Sequence, residues 1–196
     1  MQNVETWRLF VAISVPEEIK ARIEESQAEL RRALPEDCVR WAKRGQFHLT
    51  LKFLGDVEAP RLEALTDALR LACGRFPALP LRARGIGFFP DSRVPRVVWA
   101  GVQDPDGRLP VVQRAVELAV GGFTREHRAE TFAAHVTLGR VRGIRRAEAE
   151  RMAELAAATA DRFFGAWTAG AIEVIRSELL AGGARYTVLS VIRLAG

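Results

Sequence analysis

Apolar and polar positions along the chain fall into two periods. Residues 6–15, TWRLFVAISV, are almost continuously apolar, the pattern of a buried strand. Ser14 then precedes Pro16 and two glutamates, which marks a helix start. Ile19, Ile23, Leu30 and Leu34 recur on one face, so this helix is expected to run to about Leu34. VRW at 39–41 is a short strand or a turn. FHLTLKFL, residues 47–54, alternates cleanly and predicts a strand. A second helix is expected over about 59–73, with Leu62, Leu65, Leu69 and Ala72 on its apolar face. LPLRARGIGFF (79–89) and PRVVWAGV (95–102) read as two strands joined through a turn-like PDSRV, which makes a hairpin.

Leu109, Val112, Val116 and Val120 mark a third helix, ended by Gly121 and Gly122. A basic loop leads to the strand AAHVTLGR, and an alanine-rich fourth helix follows from about Arg146 to Asp161. Two strands close the chain, AIEVIRSELL and RYTVLSVIRL, with Gly182-Gly183 as a hairpin turn. The order β-α-β-α-β-β-α-β-α-β-β predicts an α+β fold of largely antiparallel sheet backed by helices, not a doubly wound parallel sheet. The strands at 47–54 and 133–140 each come just before a helix, which suggests two related lobes. No linker separates them, so residues 1–196 are expected to form one domain.

Composition narrows the class. A chain of 196 residues can bury a real core, and 48% hydrophobic content is ordinary for a globular protein. No apolar run reaches the roughly 18 residues that a membrane span requires. The N-terminus has no basic segment before its apolar part, and Glu5 and Arg8 interrupt it, so it reads as a strand and not a signal peptide. The expected location is the cytoplasm. Cys38 and Cys73 are too few for a disulfide framework and fit no metal spacing, so buried thiols are expected. The net charge of +5 tolerates anionic partners. Only Lys20, Lys43 and Lys52 are lysines among the 29 basic residues. Arginine suits phosphate, but codon bias in an alanine-rich chain is the simpler source, and charge alone does not lead to RNA.

Chemistry enters with the histidines. There are three, and two of them stand in the same word, His-x-Thr-Leu: His48 in FHLTLKFLG and His135 in AHVTLGR. Strand alternation turns Phe47, Leu49, Leu51 and Phe53 into a core, and His48 and Thr50 away from it. In the second copy Ala134, Val136 and Leu138 face the core, and His135 and Thr137 share the other side. One such strand would be an ordinary strand with a polar face; two copies change the balance.

Two histidines without a nearby carboxylate or cysteine motif make a poor metal site. No Gly-x-Ser-x-Gly elbow supports a serine nucleophile. Gly85-Ile86-Gly87 runs into Phe-Phe-Pro and not a helix, so it is no dinucleotide loop. Paired acid–base catalysis fits best. One imidazole takes a proton from water while the other gives one to a leaving oxygen. The threonine hydroxyls can donate to phosphoryl oxygens. This chemistry needs no metal.

The paired words resemble the motifs of the two-histidine phosphoesterase superfamily. RLFVAI, VRWAKRGQFHLTLKFLG, FPDSRVPRVVWAGV and SELLAGGARYTVL resemble in particular the bacterial and archaeal RNA 2′,3′-cyclic phosphodiesterases, the LigT-like branch once called 2′-5′ RNA ligases. The resemblance covers nearly the whole chain. It implies a bilobal α+β fold with pseudo-twofold symmetry and a central groove carrying both motifs. The implied reaction opens a 2′,3′-cyclic phosphate at an RNA end to a 2′-phosphate, without a cofactor. By position, His48 is the implied proton donor to the 3′ oxygen and His135 the acceptor that activates water. Thr50 and Thr137 hold the phosphoryl oxygens. Some relatives also join RNA ends through a 2′-5′ linkage, with a 5′-hydroxyl in place of water. The expected partner is RNA or an oligonucleotide with a cyclic phosphate end, tRNA fragments among them, and the chain is expected to be a monomer away from any membrane. A nucleotide- or RNA-binding module that keeps the groove without turnover is the alternative.

Other residues carry two readings each. Arg140 could pair with phosphate or stack on a base, or be a solvated strand end; odd spacing nominally sets it on the other face from His135, although strand ends twist. Tyr186, the only tyrosine, could line the groove or belong to the core or hairpin. Phe10, Trp41 and Trp99 read as core, with either tryptophan able to edge a nucleotide pocket. Lys52 shares the His48 face by parity and reads as an exposed lysine that could serve phosphate. His127 reads as exposed and dispensable. Arg142, Arg145 and Arg146 could guide an RNA strand, but a solvated helix start is the simpler reading.

Overall fold

The computed structural model describes residues 4–92, 94–126, 131–181 and 183–195. In chain order the elements are β1 (Thr6–Ser14), α1 (Glu17–Arg32), β2 (Val39–Trp41), β3 (His48–Glu58), α2 (Leu62–Cys73), β4 (Leu79–Phe89) and β5 (Val97–Gln103). They continue with α3 (Leu109–Ala119), β6 (His135–Val141), α4 (Arg146–Thr159), β7 (Phe163–Ala169), β8 (Ala171–Leu180) and β9 (Gly183–Arg193). Short 3₁₀ turns at Arg44–Gln46 and Ala59–Arg61 lead into β3 and α2. Among the described residues no helix is long and apolar enough to cross a membrane.

Among the described residues nine strands form one sheet in the order β7-β4-β5-β6-β3-β1-β8-β9, with β2 on β6, and these strands pair antiparallel. The expected α+β class and the β4–β5 and β8–β9 hairpins are therefore present. β3 and β6 meet at the centre, with three strands beyond each. The helices cover one face: α1 packs on β7, α2 on β9, α3 on β3 and α4 on β4. Their apolar sides close the main core with Leu9, Val11 and Ile13 of β1, Leu49 and Leu51 of β3, and Val136 and Leu138 of β6. On the opposite face Phe10, Ala12 and Ile175 form a smaller cluster with Tyr186. β1 is thus buried on both sides, which is why its sequence does not alternate.

β7 is an element that the periodicity did not predict. Its burial does not alternate, and Gly165 sits inside it at φ +147°. A Cβ there would lie 2.8 Å from Ile19, so the glycine lets α1 approach the strand. The predicted fourth helix stops at Thr159, and shortly afterwards the chain turns into β7.

Strict alternation also fails inside β3. Thr50 pairs with Ala12 but Lys52 pairs with Val11, leaving Leu51 as an extra residue. Such a bulge reverses which side later residues face. Lys52, expected to be exposed, is 7% accessible, and Phe53, expected in the core, is 53% accessible on the face of His48. β6 repeats the device. Thr137 pairs with Trp99 and Gly139 with Val98, so Leu138 is extra and Arg140 turns onto the face of His135 and Thr137. A bulge, and not strand-end twist, brings it there. Cys38 and Cys73 are buried free thiols, as expected.

Candidate active site

The centre of the sheet sets the geometry. Leu49 and Val136 are direct partners across β3 and β6, and both are fully buried on the helix side. Continuing this antiparallel register by one residue sets His48 opposite Thr137 and Thr50 opposite His135. All four side chains then face away from the helices. Opposed residues are separated by about 5 Å, and the two imidazoles are diagonal neighbours with backbones roughly 7–8 Å apart. A phosphate group spans such a gap.

Each ring is tethered to the backbone two residues earlier. His135 Nδ1 lies 2.7 Å from the carbonyl of Ala133, and His48 bonds the backbone of Gln46. A ring N–H given to a carbonyl leaves the other nitrogen free to accept a proton. Aromatic rings fix the two imidazoles further. Phe10 stacks on His48 at 4.7 Å and Tyr186 meets it edge-on at 5.3 Å. Phe89 meets His135 edge-on at 4.9 Å. Burial pushes His48 down to about 4; its carbonyl bond opposes this, while Lys20 and His135 reinforce it by repulsion. Burial also lowers His135, with help from Arg140 and against the pull of Ala133. Both rings are therefore neutral at pH 7.

Over this face lies a cavity of ≈ 900 Å³. His48, Thr50, Thr137, Arg140 and Tyr186 line it; His135 and Phe89, whose rings meet edge-on, are not among the lining residues. Burial raises the Tyr186 phenol, with Arg140 and Arg8 opposing, so it stays protonated at neutral pH. Phe10 is buried, as expected, but beneath the groove and not in the main core. Trp41 lines the cavity and also packs on the core. Trp99 pairs with Thr137 on β5 and lies over Gly87 beside Phe89, outside the cavity lining.

Lys52 does not serve the groove. Its ammonium pairs with Glu117 of α3 at 2.5 Å, with both side chains under 10% accessible. Arg145 and Arg146 bond Glu148 and Glu150 of their own helix, as a helix start would. Arg142 instead lines the cavity. His127 lies outside the described residues.

Two groove residues escaped the alternation argument. Phe53 lies 5.9 Å from Phe10 in the cavity wall. It stands five residues after His48, as Arg140 stands five after His135, so the second copy carried the signal. Gln46 had no such signal. Its amide donates to the Ala184 carbonyl at 2.7 Å, its side-chain oxygen accepts from the Lys43 amide, and its backbone holds His48. It thereby ties the β8–β9 hairpin to the first motif.

The sheet thus carries both His-x-Thr strands side by side at its centre. Residues 13–99 match the LigT-like phosphoesterase family model. An RNA 2′,3′-cyclic phosphodiesterase of Methanothermobacter thermautotrophicus is 31% identical over 189 residues, 95% of this chain and 98% of that protein. One from Thermus thermophilus is 34% identical, covering 96% and 91%. The chain belongs to the LigT-like phosphoesterase family. Among solved structures, E. coli LigT complexed with 3′-AMP superimposes with a TM-score of 0.74 at 27% identity, over 98% of this chain and 100% of that one. A structure from Thermus thermophilus gives the same TM-score at 29% identity, over 96% and 98%.

Proposed function

We propose that this protein hydrolyses 2′,3′-cyclic phosphodiester ends of RNA to 2′-phosphomonoesters. The observation that supports this is the Leu49–Val136 register, which, continued by one residue, sets the two His-x-Thr words side by side on one face of the sheet. The relatives named for this activity, which match almost end to end, support the substrate class.

In the proposed step His135 takes a proton from water as the water oxygen bonds to phosphorus. The bond from phosphorus to the 3′ oxygen breaks, and His48 gives its proton to that oxygen. Thr50 and Thr137 donate to the two non-bridging oxygens, where charge builds up. His135 then loses its proton to solvent and His48 regains one. A neutral His135 suits the base. His48 must be charged, and the phosphodiester anion supplies the reason, because a nearby negative charge favours the imidazolium. The same groove would join RNA ends by a 2′-5′ linkage when a 5′-hydroxyl replaces water.

The experiment is hydrolysis of an oligonucleotide 2′,3′-cyclic phosphate in EDTA, with the product identified by phosphorus NMR. A 2′-phosphate is expected. His48→Ala and His135→Ala should each lower the rate by roughly 10²–10⁴. Full activity in both variants would overturn the mechanism. Nucleotide binding with no turnover would make the protein a binding module.

A further inference from the structure

We infer that the groove continues into a track for the RNA backbone on the 5′ side of the reacting end, formed by Arg140, Arg142 and Arg96. This rests on the cyclic phosphodiesterase reading and extends it from a terminal nucleotide to a strand.

A second cavity of ≈ 230 Å³ lies beyond the end of β6, lined by Arg96, Arg142, Ile144 and the start of α4. Arg142 lines both cavities, so they adjoin. The path is laid out by the backbone. From the phosphoryl corner, β6 presents Thr137 and, past its bulge, Arg140 to the groove. Arg142 follows two residues on, roughly 7 Å further along an extended chain. The Val141 amide donates to the Arg96 carbonyl at 2.9 Å, which fixes Arg96 beside the same stretch.

Charge points the same way. Among the described residues lining the two cavities, Glu126 is the one acid, in a chain holding 24. Arg145 and Arg146 are held by Glu148 and Glu150. The guanidinium groups of Arg96, Arg140 and Arg142 have no such partner among the described residues and are exposed. The unpaired forks of Arg140 and Arg142, about one nucleotide apart along the chain, with Arg96 beside them, suit the phosphates of a single strand. A 2′,3′-cyclic phosphate stands at a 3′ end, so the chain that leaves the groove along this row must run toward its 5′ side.

The test compares cytidine 2′,3′-cyclic phosphate with a 5′-labelled tetraribonucleotide carrying the same end, in wild type and in Arg96→Gln/Arg142→Gln. Wild type should have the higher kcat/KM on the tetranucleotide, and the double variant should lower the tetranucleotide-to-mononucleotide ratio roughly tenfold. Binding of the labelled tetranucleotide 2′-phosphate, followed by anisotropy, should show a salt slope reduced by about 1.4 in the variant, since each lost single-strand contact removes about 0.7. That corresponds to about a sevenfold smaller loss of affinity between about 50 and 200 mM salt. An unchanged ratio and an unchanged slope overturn the track. If neither substrate is turned over, the hydrolase reading fails, and the binding slope alone upholds or overturns the track.

Discussion

β3 and β6 share a register, a bulge after the threonine and a tethered imidazole, yet they fill matching positions with opposite chemistry. Four residues after the histidine β3 has Lys52, and β6 has Gly139. Five residues after it β3 has Phe53, and β6 has Arg140. Lys52 passes under the bulge to Glu117, and Gln113 of the same helix donates to Glu117 and to the Leu51 carbonyl. In β6 a Cβ at position 139 would lie 2.6 Å from Val39, so the missing side chain admits β2. One half thus secures its bulge by a buried ion pair and the other by close packing. On the groove face, one half ends in an aromatic ring and the other in a cation. The frame is symmetric, but the groove is polar from end to end, with Phe53 at one end suited to a base and Arg140 at the other suited to a phosphate.

The largest effect should come from breaking the buried pair. Lys52→Met leaves Glu117 buried without a counter-charge, which typically costs about 3–5 kcal/mol. For a chain of this size, thermal unfolding should show a loss of roughly 10 °C. Lys52→Met/Glu117→Met should recover most of it, because the apolar pair removes the stranded charge. A single variant as stable as wild type would show that α3 does not secure the bulge through charge. Gly139→Ala should destabilise less, roughly 1–3 kcal/mol, as β2 shifts to make room.

Next come the two hydroxyls, where the halves should behave alike. In the proposed step Thr50→Val and Thr137→Val would each remove one donor to the phosphoryl oxygens and should lower kcat by roughly 10²–10³. Single-turnover rates on a cyclic mononucleotide would measure this. A large loss in one variant and none in the other would end the claim that both donors hold the phosphate. The fifth residues should then separate the halves. If Arg140 holds a phosphate as proposed, Arg140→Gln should weaken every substrate by roughly tenfold, the loss of one charged hydrogen bond. Phe53→Ala should weaken binding by an amount that varies with the base, within the roughly 1–3 kcal/mol range of stacking.

These contrasts also mark what the letters could carry. The His-x-Thr words, the helices and the hairpins were legible because period and repetition are local properties. The faces of Lys52, Phe53 and Arg140 were not, because a bulge depends on the partner strand. Alternation within one strand cannot see the extra residue at Leu51 or Leu138. β7 was hidden because Gly165 answers to α1, more than a hundred residues earlier. The link from Gln46 to Ala184 spans 138 positions and has no periodic signature.

The smallest effect tests the buried imidazoles through stability. His48 is pushed from 6.5 down to about 4 in the folded protein. As pH falls below about 6.5, the unfolded chain takes up a proton that the folded one refuses. The contribution is therefore complete above that point and lost progressively down to about 4, where the folded ring also charges. His135 is shifted the same way. Glu17 and Glu148 are held below 4.5, so their own loss of stability begins only about a unit above 4.5 and overlaps just the lower part of that interval. Stability from denaturant unfolding between about pH 4.5 and 6.5 should fall with pH by up to about 1.4 kcal/mol per unit for each such ring. His48→Gln should remove the larger share of that slope and His135→Gln the smaller, because the aromatic cover of Phe10 and Tyr186 belongs to His48 alone. Equal shares would mean that the two imidazoles are equally desolvated, and that the asymmetry of the groove begins only at the fifth residue of each motif.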